Sequence, residues 1–407
     1  MAVVSAARVV ETGVTPGRAV LAGPPLMWSY SSLKEVETCP LRYALARADY
    51  PDLWEQHGYP RLPIPAAIRG DVVHGALEII VKAFVKAGCS STRSAEAVAV
   101  LRELGGYTKV AEYVLAAQLA RFAGNPRLRA DRREQLTRLL TDWLPEAREQ
   151  IQTYLNRMNL LPSGGSGSAP PTAAPSTRYP ARTGDHPEKE LVAEVLGLKG
   201  RIDLLSVDAG GVHITDFKTG AEDPAHHDQL RMYALLWDAD GTVNPDGLPI
   251  TKLVAAYPDH EVEVPVPSAA DLATLVDDVA AQIEVAKAAI AVDPPVAKLG
   301  EHCRLCSVRG LCGSYWSRGA PRTAEVSDGT WYDLAGTVVR EHGVKSFVLR
   351  EGGTGSDVLV RTPTPAIALP LGSGIRILGA RRVIDPEDEE ALIAALTSAS
   401  EVLELTG

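Results

Sequence analysis

An α/β domain followed by a small β-barrel is the fold the sequence predicts, and three observations predict it. β-prone runs gather between residues 190 and 266, with helical periodicity before and after them. A Gly/Ser/Pro-rich segment at 162–187 separates the leading helices from those runs. From Gly329 onward, short strand-like runs alternate with Gly-rich turns, the texture of a small closed barrel.

At 407 residues the chain can bury a large core and is long enough for two domains. No apolar run approaches the ~20 residues of a membrane span. No basic start precedes a long apolar stretch at the N-terminus. Both observations predict a cytoplasmic protein with no membrane partner. The net charge of −10 argues against a generally basic, nucleic-acid-coating surface but leaves room for a local basic cleft. Five cysteines, an odd number, predict a reducing compartment rather than a disulfide framework.

Residues 1–27 read as a loose tail, and the folded part opens at Trp28. Ser31 or Ser32 is placed to cap a short helix, with Glu35 set for a capping box. Asp71 to Lys86 has an amphipathic stripe of Val73, Leu77, Ile80, Val81 and Phe84 and is closed by Gly88. His74 and Glu78 share one face of that helix. A helical insert spans 90–160. Its arginines (Arg121, Arg127, Arg129, Arg132, Arg133, Arg138) read either as a solvated face or as a path for DNA. The linker at 162–187 is expected to be disordered.

Glu190 to Leu196 reads as a strand, and either Glu190 or Glu194 is a candidate extra carboxylate. Next comes a hairpin. Ile202–Val207 and Val212–Lys218 flank the turn Asp208-Ala-Gly-Gly211. A turn centred on Ala209-Gly210 sets Asp203 opposite Asp216, with Cβ atoms roughly 4.5–5.5 Å apart. Lys218 falls on the same face as Asp216. Facing carboxylates repel each other, and a divalent cation between them reverses the sign. Lys199, Arg201, Lys218 and Arg231 cluster about this hairpin in sequence, which makes Arg201 and Arg231 candidates for nucleic-acid contact.

Ala225 to Trp237 is helical, with Gln229 and Tyr233 on one face. Tyr233 reads equally as a core residue there. Strands follow at 250–257 and 262–266, then a helix capped by Ser268. Cys303-x2-Cys306-x5-Cys312 has metal-ligand spacing, and Cys39 is the available fourth thiol. An all-cysteine set suits either an iron–sulfur cluster or structural zinc. Residues 325–384 read as an OB-like barrel. Its Arg340, Arg350, Arg361, Arg376, Arg381 and Arg382 fit a single-strand groove, although a packing role fits almost as well. Residues 385–407 read as a closing helix, and 1–320 are expected to fold without the barrel.

Taken together and in order, these parts resemble the PD-(D/E)XK nuclease superfamily, in its RecB/AddB-like branch that includes CRISPR-adaptation nucleases. The resemblance rests on Ser29-x-Ser31-x-Leu33…Cys39-Pro-x-x-Tyr43, Gly70-x-x-x-His74, Gly200-x-x-Asp203, Asp216-Phe-Lys-Thr-Gly220, Gln229-x-x-x-Tyr233 and the cysteine set. It implies a restriction-endonuclease-like domain over 28–318. It also implies Mg²⁺ or Mn²⁺ held by His74, Asp203, Asp216 and the Phe217 carbonyl. Lys218 would act on the attacking water, and Gln229 and Tyr233 would steady the site. Cys39, Cys303, Cys306 and Cys312 would hold a 4Fe-4S cluster, with Zn²⁺ as the alternative. The implied activity is cleavage of DNA, single strands included, in repair, recombination or defence, alongside a helicase or another repair or defence protein. The alternative is a catalytically silent DNA-binding subunit of a helicase–nuclease or CRISPR-adaptation complex. The presence of every motif residue favours an enzyme.

Overall fold

The computed structural model describes residues 7–9, 20–51, 53–161, 178–362 and 369–405. Most of the expected tail and the linker residues 162–177 lie outside the described residues. The elements run β1 (Ala7–Val9), α1 (Tyr30–Thr38), α2 (Pro40–Arg47), α3 (Pro65–Lys86), α4 (Ala95–Glu103), α5 (Gly106–Ala120), α6 (Ala130–Asp142) and α7 (Leu144–Arg157). Next are β2 (Gly184–Ala193), β3 (Leu198–Val207), β4 (Val212–Phe217), α8 (Pro224–Ala239), β5 (Ile250–Ala256), β6 (Glu261–Val264) and α9 (Ala269–Ala291). The C-terminal strands are β7 (Trp331–Glu341), β8 (Ser346–Glu351), β9 (Asp357–Arg361), β10 (Gly374–Asp385), β11 (Asp388–Ala395) and β12 (Glu401–Leu405).

The first sheet has the order β2-β3-β4-β5-β6 and is antiparallel except for the β4–β5 pair. Apolar residues leave both faces of its central strands. Leu205, Val212 and Ile214 pack with α1, α8 and α9, whereas Leu204, Phe217 and Val254 pack with α3, α5, α6 and α7. The result is a helix–sheet–helix sandwich with two hydrophobic layers. The first helix is capped two or three residues earlier than the sequence predicts. Ser29 is the cap and Ser32 its reciprocal partner, because Ser32 already lies inside the helix.

In the C-terminal region β7, β8, β9, β11 and β10 close on themselves, with β9–β11 as the parallel contact and β10–β7 as the closing one. β12 extends this sheet from β10, and β1 pairs outside β12. Two expectations are corrected here. The closing helix expected at 385–407 is absent among the described residues 385–405, since 388–395 and 401–405 are strands, and the barrel does not end at 384. Glu, Ala and Leu in these runs favour helix locally, but burying Ile393, Ala394 and Leu403 against neighbouring strands overrides that weak preference. The N-terminal tail is likewise not wholly loose, because Ala7–Val9 adds a strand.

The barrel is fused to the first domain. Arg127, between α5 and α6, is buried and forms a two-pronged ion pair with Glu401 of β12, at 2.8 and 2.9 Å. The same guanidinium donates to the carbonyls of Pro60 and Ser307 and lies over the Tyr59 ring. Arg309 pairs with the buried Asp333 of β7, which also accepts from Tyr315 and the Gly379 amide. Leu45, Tyr50, Cys306 and Leu311 share one apolar cluster with Leu378 and Leu403 of the barrel.

Candidate active site

The β3–β4 register is the one in which Asp203 faces Asp216: the recorded pairs run from Val207↔Val212 to Leu204↔Thr215. At the next step the ladder gives way, and the Asp203 carboxylate accepts from the Phe217 amide at 2.7 Å. On the other side of β3, the pairs Pro187↔Leu204 and Lys189↔Ile202 bracket Glu188 opposite Asp203. Glu188 has φ 55°, a left-handed conformation unusual for a non-glycine residue. Glu188, Asp203 and Asp216 therefore form a row across three strands. Glu190 and Glu194, the residues proposed from sequence for an extra carboxylate, are exposed, so that expectation is corrected to Glu188. Carrying the hairpin argument back through the turn at Gly197 would have found it, since Ala193 pairs with Leu198.

Two of the three acids hold their protons more tightly than a free carboxyl. Burial, then the charge of Asp203, pushes Asp216 up to about 6. The same two causes raise Glu188 to about 7, partly offset by Arg201. Asp216 is 3% exposed, and its Oδ2 has no hydrogen-bond partner beyond the ion pair with the Lys218 ammonium. Lys218 also donates to Gln229 at 2.8 Å, and the Gln229 amide donates to the Tyr233 hydroxyl at 2.8 Å. The two α8 residues thus hold the lysine. The backbone of Lys218 is pinned from both sides: its N–H donates to Ala256 and its carbonyl accepts from Tyr154 at 2.7 Å. Tyr154, in the helical insert, carries no signal in the sequence for this role.

His74 reaches the row from α3, with Nδ1 3.4 Å from Asp203. Burial opposes its charge, but the Asp203 carboxylate outweighs burial and raises the imidazole above its ordinary value. One glycine allows this approach of α3 and another the approach of α8. A Cβ on Gly70 would stand 2.9 Å from the Thr219 hydroxyl, and one on Gly200 would stand 2.6 Å from Leu236 of α8. Glu78, one turn beyond His74, pairs with Lys82 and Arg201, and Arg201 bridges on to Glu188 at 2.5 Å. Arg201 is thus engaged with the carboxylates rather than left for a phosphate, and Arg231 pairs with Asp228.

Cys39, Cys303, Cys306 and Cys312 line one cavity with His302 and Arg42. Cys39 caps α2, its sulfur accepting from the Arg42 amide, and burial raises the thiols of Cys306 and Cys312. Cys89 is buried in the α3 layer instead. Among the described residues no group of three or more His, Cys, Asp and Glu side chains stands at the spacing that holds a metal ion. The thiols share a cavity, and the acids a row, without converging that far.

The arginines read as DNA contacts are largely committed elsewhere. Arg127 is the buried staple described above, and Arg129, at the start of α6, and Arg138 within it pair with acids of α6. In the barrel Arg382 is buried, Arg350 and Arg361 pair with Asp357 and Asp385, and Arg376 donates to Gly310. Two of the six barrel arginines, Arg350 and Arg361, are therefore neutralised by acids, while Arg376 and Arg382 are tied to backbone carbonyls.

Facing carboxylates on two inner strands, a lysine fixed beside one of them and a histidine from the flanking helix are groups that could hold a divalent cation next to a phosphodiester. The chain belongs to the PD-(D/E)XK nuclease superfamily, which matches residues 27–313. The superfamily is one of nucleases, phosphodiester hydrolases. Nucleases of this superfamily usually use Mg²⁺ or Mn²⁺. Among solved structures, one titled "Crystal structure of SSO0001" is 24% identical over 32% of this chain and 61% of that one, with a TM-score of 0.20. No curated protein matches the chain significantly. No helix among the described residues is long and apolar enough to cross a membrane.

Proposed function

We propose that this chain is a metal-dependent deoxyribonuclease of the RecB/AddB-like branch, acting in repair, recombination or defence. The observation that carries the reading is the carboxylate row with Lys218 held beside it. The donor set fits a hard divalent cation: mutually repelling carboxylates, one buried oxygen without a hydrogen bond, and a histidine. Asp203, Asp216, His74 and the Phe217 carbonyl would hold it, with Glu188 as a further carboxylate. When bound, Mg²⁺ or Mn²⁺ supplies Lewis acidity to the phosphate and lowers the pKa of water. Lys218, steadied by Gln229 and Tyr233, would direct its ammonium at the attacking water and at the negative charge developing on the phosphoryl oxygens. Phe217 and Tyr154 pack edge-on beside the row and keep that wall apolar.

Cys39, Cys303, Cys306 and Cys312, which line one cavity, would hold a 4Fe-4S cluster joining the two ends of the nuclease domain. Stoichiometric zinc without iron in anaerobically purified protein would replace that assignment.

The deciding test uses end-labelled linear and circular DNA, single- and double-stranded, with Mg²⁺ or Mn²⁺. Cleavage by the wild type and its loss in Asp216→Ala and Lys218→Ala are expected. Binding without cleavage under all conditions would instead identify a silent DNA-binding subunit.

A further inference from the structure

One surface feature is untouched by the catalytic row: a groove of about 710 Å³ on the N-terminal side of α3. It is lined by the half-buried rings of Trp54 and Phe122, the guanidiniums of Arg61 and Arg121, and Ala67 and Asp71 of α3. Its charge runs against the rest of the molecule. A third guanidinium there, Arg47, is spent on Glu35 at 2.6 Å, while Arg61 and Arg121 have no carboxylate partner among the described residues. Arg121 donates only to the neutral Gln118, and Asp71 is the sole acid in the lining. A chain of net charge −10 thus keeps two uncommitted cations beside two partly exposed rings.

The helix supplies a direction. Ala67, Asp71, His74 and Glu78 follow one another at spacings of four, three and four, so they share one face of α3. The first two line the groove, the third meets Asp203, and the fourth meets Arg201. At 1.5 Å per residue, Asp71 and His74 lie about 4.5 Å apart along the axis. The groove therefore opens along the same helix face that carries the catalytic histidine.

We propose that this groove binds one unpaired strand of nucleic acid and leads it along α3 to the carboxylate row. The proposal rests on the nuclease reading for its destination. Arg61 and Arg121 contact phosphates, and Trp54 and Phe122 stack on bases. Stacking needs bases that are not paired, so the groove selects single strands over duplex.

The test is fluorescence anisotropy with the full chain in EDTA, using a labelled 20-nucleotide single strand and the matching duplex. Arg61→Gln/Arg121→Gln is expected to weaken single-strand binding roughly tenfold and to flatten the log Kd–log salt slope by about 1.4, at about 0.7 per phosphate on a single strand. Trp54→Ala is expected to weaken single-strand binding roughly tenfold and duplex binding far less. Melting curves identify any variant that fails to fold. Crosslinking of an iodouracil-substituted single strand to wild type, mapped to residues 54–61 or 118–122, then decides in its place. Single-strand affinity and slope unchanged in the arginine variant, or crosslinks only elsewhere, overturn the proposal. Binding is read without turnover, so a wild type that binds here yet cleaves nothing sinks the catalytic reading alone. A wild type that cleaves while the groove variants bind normally sinks the groove alone.

Discussion

Asp216 carries the site's conflict at the scale of one residue. A carboxylate 3% exposed, beside another acid, is tolerated because Lys218 offsets part of its charge. Its carboxyl is raised to about 6, and that of Glu188 to about 7, so the folded chain binds more protons than the unfolded one from about pH 4 to 7. The stability this contributes is complete below the unfolded values and is lost as pH rises through 6 to 7. The metal-free protein is therefore expected to melt at a lower temperature at pH 8 than at pH 5, with Mg²⁺ restoring the loss at pH 8. Asp216→Asn is expected to flatten that profile, adding about 1–3 kcal/mol at pH 8, while cutting cleavage by roughly 100- to 1,000-fold or more. Calorimetry with and without Mg²⁺ at both pH values measures the first effect and single-turnover cleavage the second. A pH-independent melting point would show that the row is not under charge strain. Gly70 makes a different point. Gly70→Ala places a methyl against Thr219, so cleavage is expected to fall about tenfold with under ~1.5 kcal/mol lost in stability.

Elements set the site through register and approach. The β2–β3 and β3–β4 pairings line up three acids, and a one-residue slip in either strand would turn its acid to the other face. α8 and α3 then close on the row from different layers, each at a glycine. The cysteine loop plays the same positioning role between domains. Its Arg309 meets Asp333, its Gly310 receives Arg376, and its Leu311 packs against barrel residues. Under the proposed cluster, Cys303→Ser is expected to lower the metal content of this loop and, through these contacts, to lower thermal stability across both domains in one cooperative transition. A separate early transition for the barrel would count against that coupling.

For the whole molecule, the barrel lies beyond the residues that match the superfamily but shares buried contacts with that domain. Truncation after residue 320 would strand Arg127, which is buried and pairs with Glu401. It would also strip the apolar cover from Leu45, Tyr50 and Leu311. Leaving a buried charge unpaired costs about 3–5 kcal/mol, much of a domain's net stability. Chain 1–320 is expected to aggregate or to melt at least 10 °C below the full chain, contrary to the independence read from the sequence. Arg127→Ala tests the same contact in the intact protein, with an expected loss of about 3–5 kcal/mol by chemical denaturation. Replacing Arg127 and Glu401 together by apolar residues of similar size is expected to recover much of it.

The sequence by itself determined the parts whose signals are local. The turn at Asp208–Gly211 set the register that makes Asp203 and Asp216 neighbours, and helical spacing put Gln229 and Tyr233 on one face. Order and motif spacing pointed to the nuclease superfamily, and residues 27–313 match it. Tertiary structure decided whatever depends on a distant partner. Glu188 joins the row because a strand running back from Gly197 carries it there, and Tyr154 reaches Lys218 across 64 residues of chain. Arginines that look alike in sequence part ways in space. Arg127 is buried against Glu401, Arg350 is neutralised by Asp357, and Arg61 and Arg121 are left uncommitted in a groove. The last two strands show the same limit, since local helix preference amounts to tenths of a kcal/mol per residue. Pairing and burial against strands far away in the chain outweigh it, and no local pattern records those partners.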